Sequence, residues 1–287
     1  MPELPEIEIV KRSLFKMINK AKIISIKVYN RNLRYKLNKN VTQKLINEKI
    51  LKISRRSKYL IFHFKKFFLL VHLGMTGKFF IIRTKDNAIF KTSFYYDLNI
   101  PRKHNHIYFV LNNGLVLIYN DIRRFCFFKL FKITQFKKVI FLNKLGCEPL
   151  SVLFNFKYFK FFIMKRRKNI KSLLMDQTFI SGLGNIYVNE ALFLARIHPL
   201  RECDDLSKKE ITNLITSIKK ILKFSISKGG SSIKNFQNTS GKSGKFQEFF
   251  NVYGHHNKNC SRIWCKGKIM KITISNRSSF YCNKCQN

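Results

Sequence analysis

The sequence predicts an α+β protein of two domains, and three observations carry that prediction. One amphipathic helix is followed by short β-branched and aromatic runs, helical periodicity takes over in the second half, and four cysteines crowd the C-terminal end. The chain of 287 residues fits two domains of roughly 100–200 residues each, and 45 % hydrophobic residues with 14 % aromatics supply their cores. That composition excludes disordered and collagen-like architectures. The most apolar stretches, such as Phe67–Leu73, fall short of the roughly 18 residues that cross a bilayer. No basic segment followed by an apolar core opens the chain, so a soluble, cytoplasmic protein with no membrane partner is expected.

The elements follow in order. Leu4, Ile7, Val10, Leu14 and Met17 recur at helical spacing and predict a helix over the first 20 residues. Strand-like runs then occupy Ile23–Val28, Ile50–Ile53, Tyr59–Phe64, Phe68–Leu73, Phe79–Ile82, Ile107–Leu111, Leu115–Tyr119 and Phe127–Phe131. Turn residues such as Asn112-Asn113-Gly114 separate some of them, which argues a β-sandwich over residues 2–132. The strand pattern fades between Ile133 and Pro149, where a linker (133–150) is expected. Residues 151–250 read as helical: Asn169–Met175 and Ile186–Ala195 flank a glycine-containing loop, Asp176–Asn185, that opens a helix N-terminus suited to a phosphate. Ser207 and Glu210 form a capping box ahead of Ile211, Leu214, Ile215, Ile218, Ile221 and Leu222, and Gly229-Gly230 ends that helix.

Residues 251–287 form the third segment. Cys260, Cys265, Cys282 and Cys285 read as C-x4-C, sixteen residues, then C-x2-C, which is the spacing of a zinc ribbon holding one structural Zn2+. Cys126, Cys147 and Cys203 stand alone and read as buried small side chains. The charge adds a partner: 56 Lys+Arg against 15 Asp+Glu give +41, which favours a polyanion. Overuse of Lys, Asn, Ile and Phe, all drawn from AT-rich codons, is a second source of that excess.

The opening Met1-Pro2-Glu3-Leu4-Pro5-Glu6 places two of the 15 acidic residues in a basic chain's first six positions. Removal of Met1 would expose the secondary amine of Pro2, a group able to attack a sugar C1′ with Glu3 as adjacent acid/base. A proline and two glutamates in a first helical turn are also ordinary N-terminal capping.

With this opening, an ordered series of further motifs resembles the formamidopyrimidine-DNA glycosylase family along essentially the whole chain. They are Arg55-Arg56-Ser57-Lys58-Tyr59-Leu60, His72-Leu73-Gly74-Met75-Thr76-Gly77, Lys103-His104-Asn105-His106 and Asp121-Ile122-Arg123-Arg124-Phe125. Leu174-Met175-Asp176, Gly182-Leu183-Gly184-Asn185-Ile186-Tyr187, Gly229-Gly230-Ser231-Ser232, Val252-Tyr253-Gly254 and Arg277 with Phe280-Tyr281-Cys282-Asn283-Lys284-Cys285 complete the series.

The resemblance implies a bacterial, nucleoid-associated base-excision repair enzyme with a helix-two-turn-helix domain, acting as a monomer on double-stranded DNA containing oxidised purines. It implies excision of 8-oxoguanine and formamidopyrimidines, then strand nicking by β,δ-elimination. Pro2 would be the Schiff-base amine, Glu3 the proton-transfer group and Glu6 the residue orienting them. Lys58 would contact phosphates and donate a proton, and Arg277 would reach the damaged nucleotide's phosphate. Base flipping leaves a hole, which Met75, Arg123 and Phe125 would fill, with Arg123 reading the orphaned base. His104, Arg167 and Asn185 would contact phosphates.

The chain departs from the family pattern twice. Four residues separate Cys260 from Cys265 where the family usually has two, so either Cys260 or His256 completes the metal set. The family's Asp-Pro-Arg-Arg-Phe-Gly reads Asp121-Ile122-Arg123-Arg124-Phe125-Cys126, losing a rigid proline and a permissive glycine, and a less pre-organised loop is expected. Two rivals stand beside this reading. Endonuclease VIII shares the fold but prefers oxidised pyrimidines, and a degenerate, non-catalytic DNA-binding protein would keep only the basic groove.

Overall fold

A computed structural model describes residues 1–91, 102–164, 167–231 and 245–287. The chain divides into two compact units, Met1–Asn143 with Lys228–Lys245, and Lys144–Ser227 with Phe246–Asn287. Ser232 and the first part of the basic run 165–168 lie outside the described residues.

The first unit opens with helix α1 (Leu4–Ile18), whose Ile7, Val10, Leu14 and Ile18 are buried as their spacing predicts. Its strands are β1 (Ile23–Val28), β2 (Lys52–Arg56), β3 (Tyr59–His63), β4 (Phe67–His72) and β5 (Lys78–Arg83), then β6 (Ile89–Lys91), β7 (Asn105–Leu111), β8 (Leu115–Asn120) and β9 (Phe127–Lys132). They pair antiparallel into two sheets, ordered β1-β7-β8-β5-β6 and β2-β3-β4-β9. One apolar cluster gathers α1 residues with Leu60, Phe62, Leu69 and Val71 of one sheet and Phe79, Ile81, Ile107 and Leu117 of the other. Burying each such side chain contributes about 1.5–3 kcal/mol, so the expected β-sandwich has its core.

Helix α2 (Lys39–Leu45) and β6 carry too few apolar positions to be read from sequence. The expected linker carries structure at its start: a 3-10 turn (Ile133–Lys138) and α3 (Ile140–Asn143). Phe136 packs on Phe68 at 5.0 Å and Phe141 on Phe127 at 5.1 Å between ring centroids, which draws this stretch onto the four-stranded sheet.

The second unit holds α4 (Phe156–Ile163), α5 (Ile170–Met175), α6 (Asn185–Ala195) and α7 (Lys208–Ser227). The Ser207–Glu210 capping box forms, the Ser207 N–H donating to Glu210 Oε2 at 2.8 Å and the Glu210 N–H to Ser207 Oγ at 3.2 Å. Beyond α7, Gly229 and Gly230 take φ of 84° and 78°, a conformation that ends helices. Strands β10 (Ile269–Ile274) and β11 (Arg277–Cys282) form the C-terminal hairpin. Among the described residues no helix is long and apolar enough to cross a membrane.

Gly74 allows two loops of the first unit to approach closely. Its φ is +65°, and a Cβ there would meet the Phe125 carbonyl carbon and oxygen at 2.6 Å. Gly74→Ala should therefore lower unfolding stability by about 1–3 kcal/mol, read as a reduced urea midpoint. An unchanged midpoint would show that the two loops do not touch as described.

Candidate active site and nucleic-acid interface

The N-terminal segment is built around Glu6, which is 1 % exposed. Glu6 Oε2 accepts the Glu3 N–H at 2.9 Å, closing a capping box at the start of α1. Its Oε1 accepts both the N–H of Ser231 at 2.9 Å and the Ser231 hydroxyl at 3.0 Å. Glu3 and Pro2 are buried beside it. Burial lowers the pKa of the Met1 amino group, one residue before Pro2, from its ordinary value, while Glu3 and Glu6 pull it up and Lys58 and Arg123 pull it down. Pro2, Glu3 and Glu6 thus sit together at the amino terminus, with the charges of Lys58 and Arg123 felt there. A partly desolvated amine flanked by two carboxylates is suited to nucleophilic attack with local proton transfer.

Lys58 sits with Ser57 (φ 55°) in the two-residue turn between β2 and β3, and only 7 % of it is exposed. A relay from α1 shapes that turn. Glu8 accepts from Arg55 Nε at 3.1 Å, and Arg55 Nη1 donates to the Ser57 carbonyl at 2.9 Å. Lys11 and Arg12 also bind Glu8, whose carboxyl titrates below its ordinary range because these hydrogen bonds outweigh burial.

Met75, Arg123 and Phe125 lie on two adjoining loops that share a buried carboxylate. Asp121 accepts the Thr76 hydroxyl, the Tyr119 hydroxyl at 3.3 Å and the N–H groups of Arg123 and Cys126, each at 3.2 Å. Thr76 Oγ1 in turn accepts the Arg123 N–H at 3.0 Å. The loop that lost its proline and glycine is thus tied down by hydrogen bonds, and its left-handed residue is Arg124 (φ 56°). Cys126 fills the glycine position as a fully buried side chain. Arg123 and Phe125 are exposed and stack on one another, the guanidinium 4.9 Å from the ring centroid. With Asn32, Leu33, Arg34 and Arg124 they line an open cleft of about 670 Å³.

His104 precedes β7, and its carbonyl accepts the Asp121 N–H at 3.1 Å, which places it beside the same loop. His72 supports the Met75 turn: its Nδ1 accepts the Gly74 N–H at 3.0 Å. Burial, reinforced by the positive charges of Lys58 and Arg34, pushes the His72 pKa down to about 4.

In the second unit, Arg277 begins β11 after the turn Ser275-Asn276, both at positive φ, so it stands exposed at the hairpin tip. Asn185 is the first residue of α6 rather than its cap. Its Nδ2 donates to the Ser278 carbonyl at 2.8 Å, which ties α6 to the hairpin. Sequence reasoning missed Lys171, a 1 %-exposed lysine that donates to the Ser278 carbonyl at 3.1 Å and to Ser279 Oγ. Burial lowers its pKa to about 8, and the charge of Arg277 adds to the effect. Lys168, Lys171, Ser172, Ser275 and Arg277 line a cleft of about 250 Å³. Arg167 is exposed just upstream of α5.

The four cysteines converge, their sulfurs all within 4.8 Å of one another. Cys260 and Cys285 Sγ lie 3.8 Å apart and Cys265 and Cys282 3.6 Å apart. Four thiolates at about 2.3 Å around a tetrahedral Zn2+ stand about 3.8 Å from each other, so the set fits such an ion. Cys260 belongs to the cluster, whereas the alternative, His256, is exposed and outside it. The long first knuckle is folded rather than displaced.

Comparison with known proteins agrees with this geometry. The model of the formamidopyrimidine-DNA glycosylase N-terminal domain matches residues 1–128, and that of the formamidopyrimidine-DNA glycosylase H2TH domain matches residues 145–237. A formamidopyrimidine-DNA glycosylase of Rickettsia africae is 42 % identical over 287 residues, covering 100 % of this chain and 99 % of the relative. One of Bartonella tribocorum is 38 % identical with full coverage of both. Among solved structures, the Lactococcus lactis Fpg in complex with abasic-site DNA superposes with a TM-score of 0.85 at 37 % identity, covering 99 % of each chain. A variant of the same protein bound to Fapy-dG DNA gives 0.86 at 37 % identity, with both chains fully covered.

Two predictions come from this geometry. His72 has a folded pKa of about 4 against about 6.5 unfolded. Below pH 6.5 the unfolded chain binds a proton that the folded chain refuses, so stability falls as pH drops from 6.5 towards 4, by about 3 kcal/mol from this group. His72→Asn, which keeps an acceptor for the Gly74 N–H, should flatten that part of the stability profile. Parallel profiles would contradict the assignment. Second, Cys260→Ser should reduce bound zinc per chain, measured by atomic absorption, while His256→Ala should leave it unchanged. The reverse pattern would move the fourth ligand to His256.

Proposed function

The chain belongs to the formamidopyrimidine-DNA glycosylase family, and on that premise we propose that it excises 8-oxoguanine and formamidopyrimidines from double-stranded DNA, then nicks the strand. The observation that carries this reading is that Pro2, Glu3 and Glu6 are buried at the chain's start, within electrostatic reach of the buried Lys58. Removal of Met1 makes Pro2 a secondary amine. Its nitrogen lone pair forms the bond to C1′ as the glycosidic bond breaks, and the proton the amine gives up leaves on the base. Glu3 protonates the sugar ring oxygen as the ring opens, giving an iminium, and Glu6 holds Glu3 in place through its backbone N–H. Loss of the C2′ proton then expels the 3′ phosphate, and a second elimination expels the 5′ phosphate.

The division of labour follows the sequence boundaries. Residues 2–132 carry the amine chemistry, 133–150 lead from the sandwich into the second unit, 151–250 add phosphate contacts and the Ser231 partner of Glu6, and 251–287 carry Arg277 and the metal hairpin. Lys58 neutralises phosphate and supplies a proton during elimination, and Arg277 binds the damaged nucleotide's phosphate. His104, Arg167 and Asn185 hold further phosphates. Met75, Arg123 and Phe125 occupy the space the flipped nucleotide leaves, Arg123 hydrogen-bonding the orphaned base. Cys260, Cys265, Cys282 and Cys285 hold one structural Zn2+, which when bound supplies folding energy to a hairpin with little core of its own. The protein works as a monomer in the bacterial cytoplasm, at the nucleoid.

A second reading, oxidised pyrimidines as additional substrates, is favoured by a related Lactococcus lactis Fpg solved with oxidised-pyrimidine DNA, 37 % identical with a TM-score of 0.85. Glu3→Gln tests the chemistry. Excision from 8-oxoguanine duplexes should fall by at least about a hundredfold, the typical worth of a positioned acid/base, while binding to an abasic-site analogue persists. Full excision by the variant would remove Glu3 from the mechanism, and the same assay on thymine glycol duplexes separates the two substrate readings.

A further inference from the structure

The first cysteine knuckle is two residues longer than the family's usual spacing, and those residues are put to use. Arg262 turns inward: Nη1 donates to Cys285 Sγ at 2.9 Å, and Nη2 donates to the carbonyls of Phe193 at 2.6 Å and Leu194 at 3.4 Å. Both carbonyls belong to the last turn of α6, the negative end of the helix dipole, and the Phe193 carbonyl accepts the Arg196 N–H at 3.0 Å as well. The guanidinium also lies 4.3 Å over the Phe193 ring and 5.5 Å from that of Trp264. Arg196, the left-handed C-cap of α6, stacks on the same Trp264 at 4.6 Å. The knuckle therefore closes on the helix end through the series Arg196, Trp264, Arg262 and Phe193.

We propose that Arg262 is a positioning residue of the metal centre: it draws charge from the Cys285 sulfur and clamps the knuckle to the C-terminal end of α6, so that metal retention depends on this side chain. Four thiolates around a divalent ion leave a net charge of −2, and a guanidinium with two donors on the helix carbonyls and one on a sulfur offsets it without becoming a ligand. Only a planar fork reaches all three acceptors. A lysine ammonium carries the charge but not the geometry. The other end of α6 already holds the hairpin through Asn185 and through Asn189, whose Oδ1 accepts the Phe280 N–H at 2.8 Å. Arg262 gives the helix a second grip at the metal end.

This inference rests on the zinc reading of the four cysteines, and the test separates the two. Zinc-loaded full-length protein is challenged with a metallochromic chelator and the release rate is followed by absorbance. Arg262→Gln should release zinc about tenfold faster than wild type, as loss of a group supporting a metal ligand ordinarily does, and Arg262→Lys should fall between them. Equal rates for wild type and Arg262→Gln overturn the proposal alone, whereas a wild-type protein that retains no zinc overturns the zinc reading and the proposal with it. Should Arg262→Gln fail to fold, Trp264→Ala carries the test, because that ring is 60 % exposed. Faster release supports the clamp, and a wild-type rate overturns it.

Discussion

The N-terminal site depends on one buried carboxylate. Glu6 receives the Glu3 N–H from its own helix start and the Ser231 N–H and hydroxyl from a segment 225 residues away. Desolvating an ionised carboxylate costs several kcal/mol unless it is matched by charge-assisted hydrogen bonds. Once formed, that match fixes where the amino terminus can lie. Gly230 makes room for it, since a Cβ there would stand 3.2 Å from Glu6 Oε1. The amine's neighbours follow from that placement.

The same device recurs. Asp121 gathers two backbone N–H groups and two hydroxyls to join the loops bearing Met75, Arg123 and Phe125. Glu190, fully buried in α6, accepts the N–H groups of Asn251, Val252 and Tyr253 and so anchors the segment that leads into the metal hairpin. Three of the chain's 15 acidic residues are thus spent inside as loop anchors. Fewer remain to offset 56 Lys and Arg, which leaves the exposed faces strongly positive. A long-range field of that sign suits a polyanion whatever share of the lysines came from codon bias.

What was legible in the sequence had local causes. Helix α1, the sandwich strands and α7 announce themselves by periodicity and capping, and Lys58 falls in the two-residue turn between two readable strands. What was hidden depends on distant partners. The Thr76–Asp121 bond spans 45 residues, so the loss of proline and glycine from the Asp121–Cys126 loop looked like lost order when the order comes from elsewhere. Lys171 occupies a helix position that composition assigns to solvent, and its burial is explained only by the carbonyl and hydroxyl of β11 that receive it. Helix α4 was not singled out within its Phe-rich, Lys-rich run, yet it buries Phe159 and Ile163 and leaves Lys157 and Lys160 exposed. The choice between Cys260 and His256 could be made only in three dimensions, because sequence spacing says nothing of how the knuckle folds back.

The central claim is that the secondary amine that Pro2 exposes once Met1 is removed is the group that attacks the damaged nucleotide. It is tested most directly by borohydride reduction of the protein on a duplex carrying 8-oxoguanine, followed by proteolysis and mass spectrometry of the adduct. The account predicts a single DNA-linked peptide, beginning at Pro2 with Met1 removed and with the deoxyribose remnant on its nitrogen. An adduct mapped to a lysine side chain, with the N-terminal peptide recovered unmodified, would contradict it.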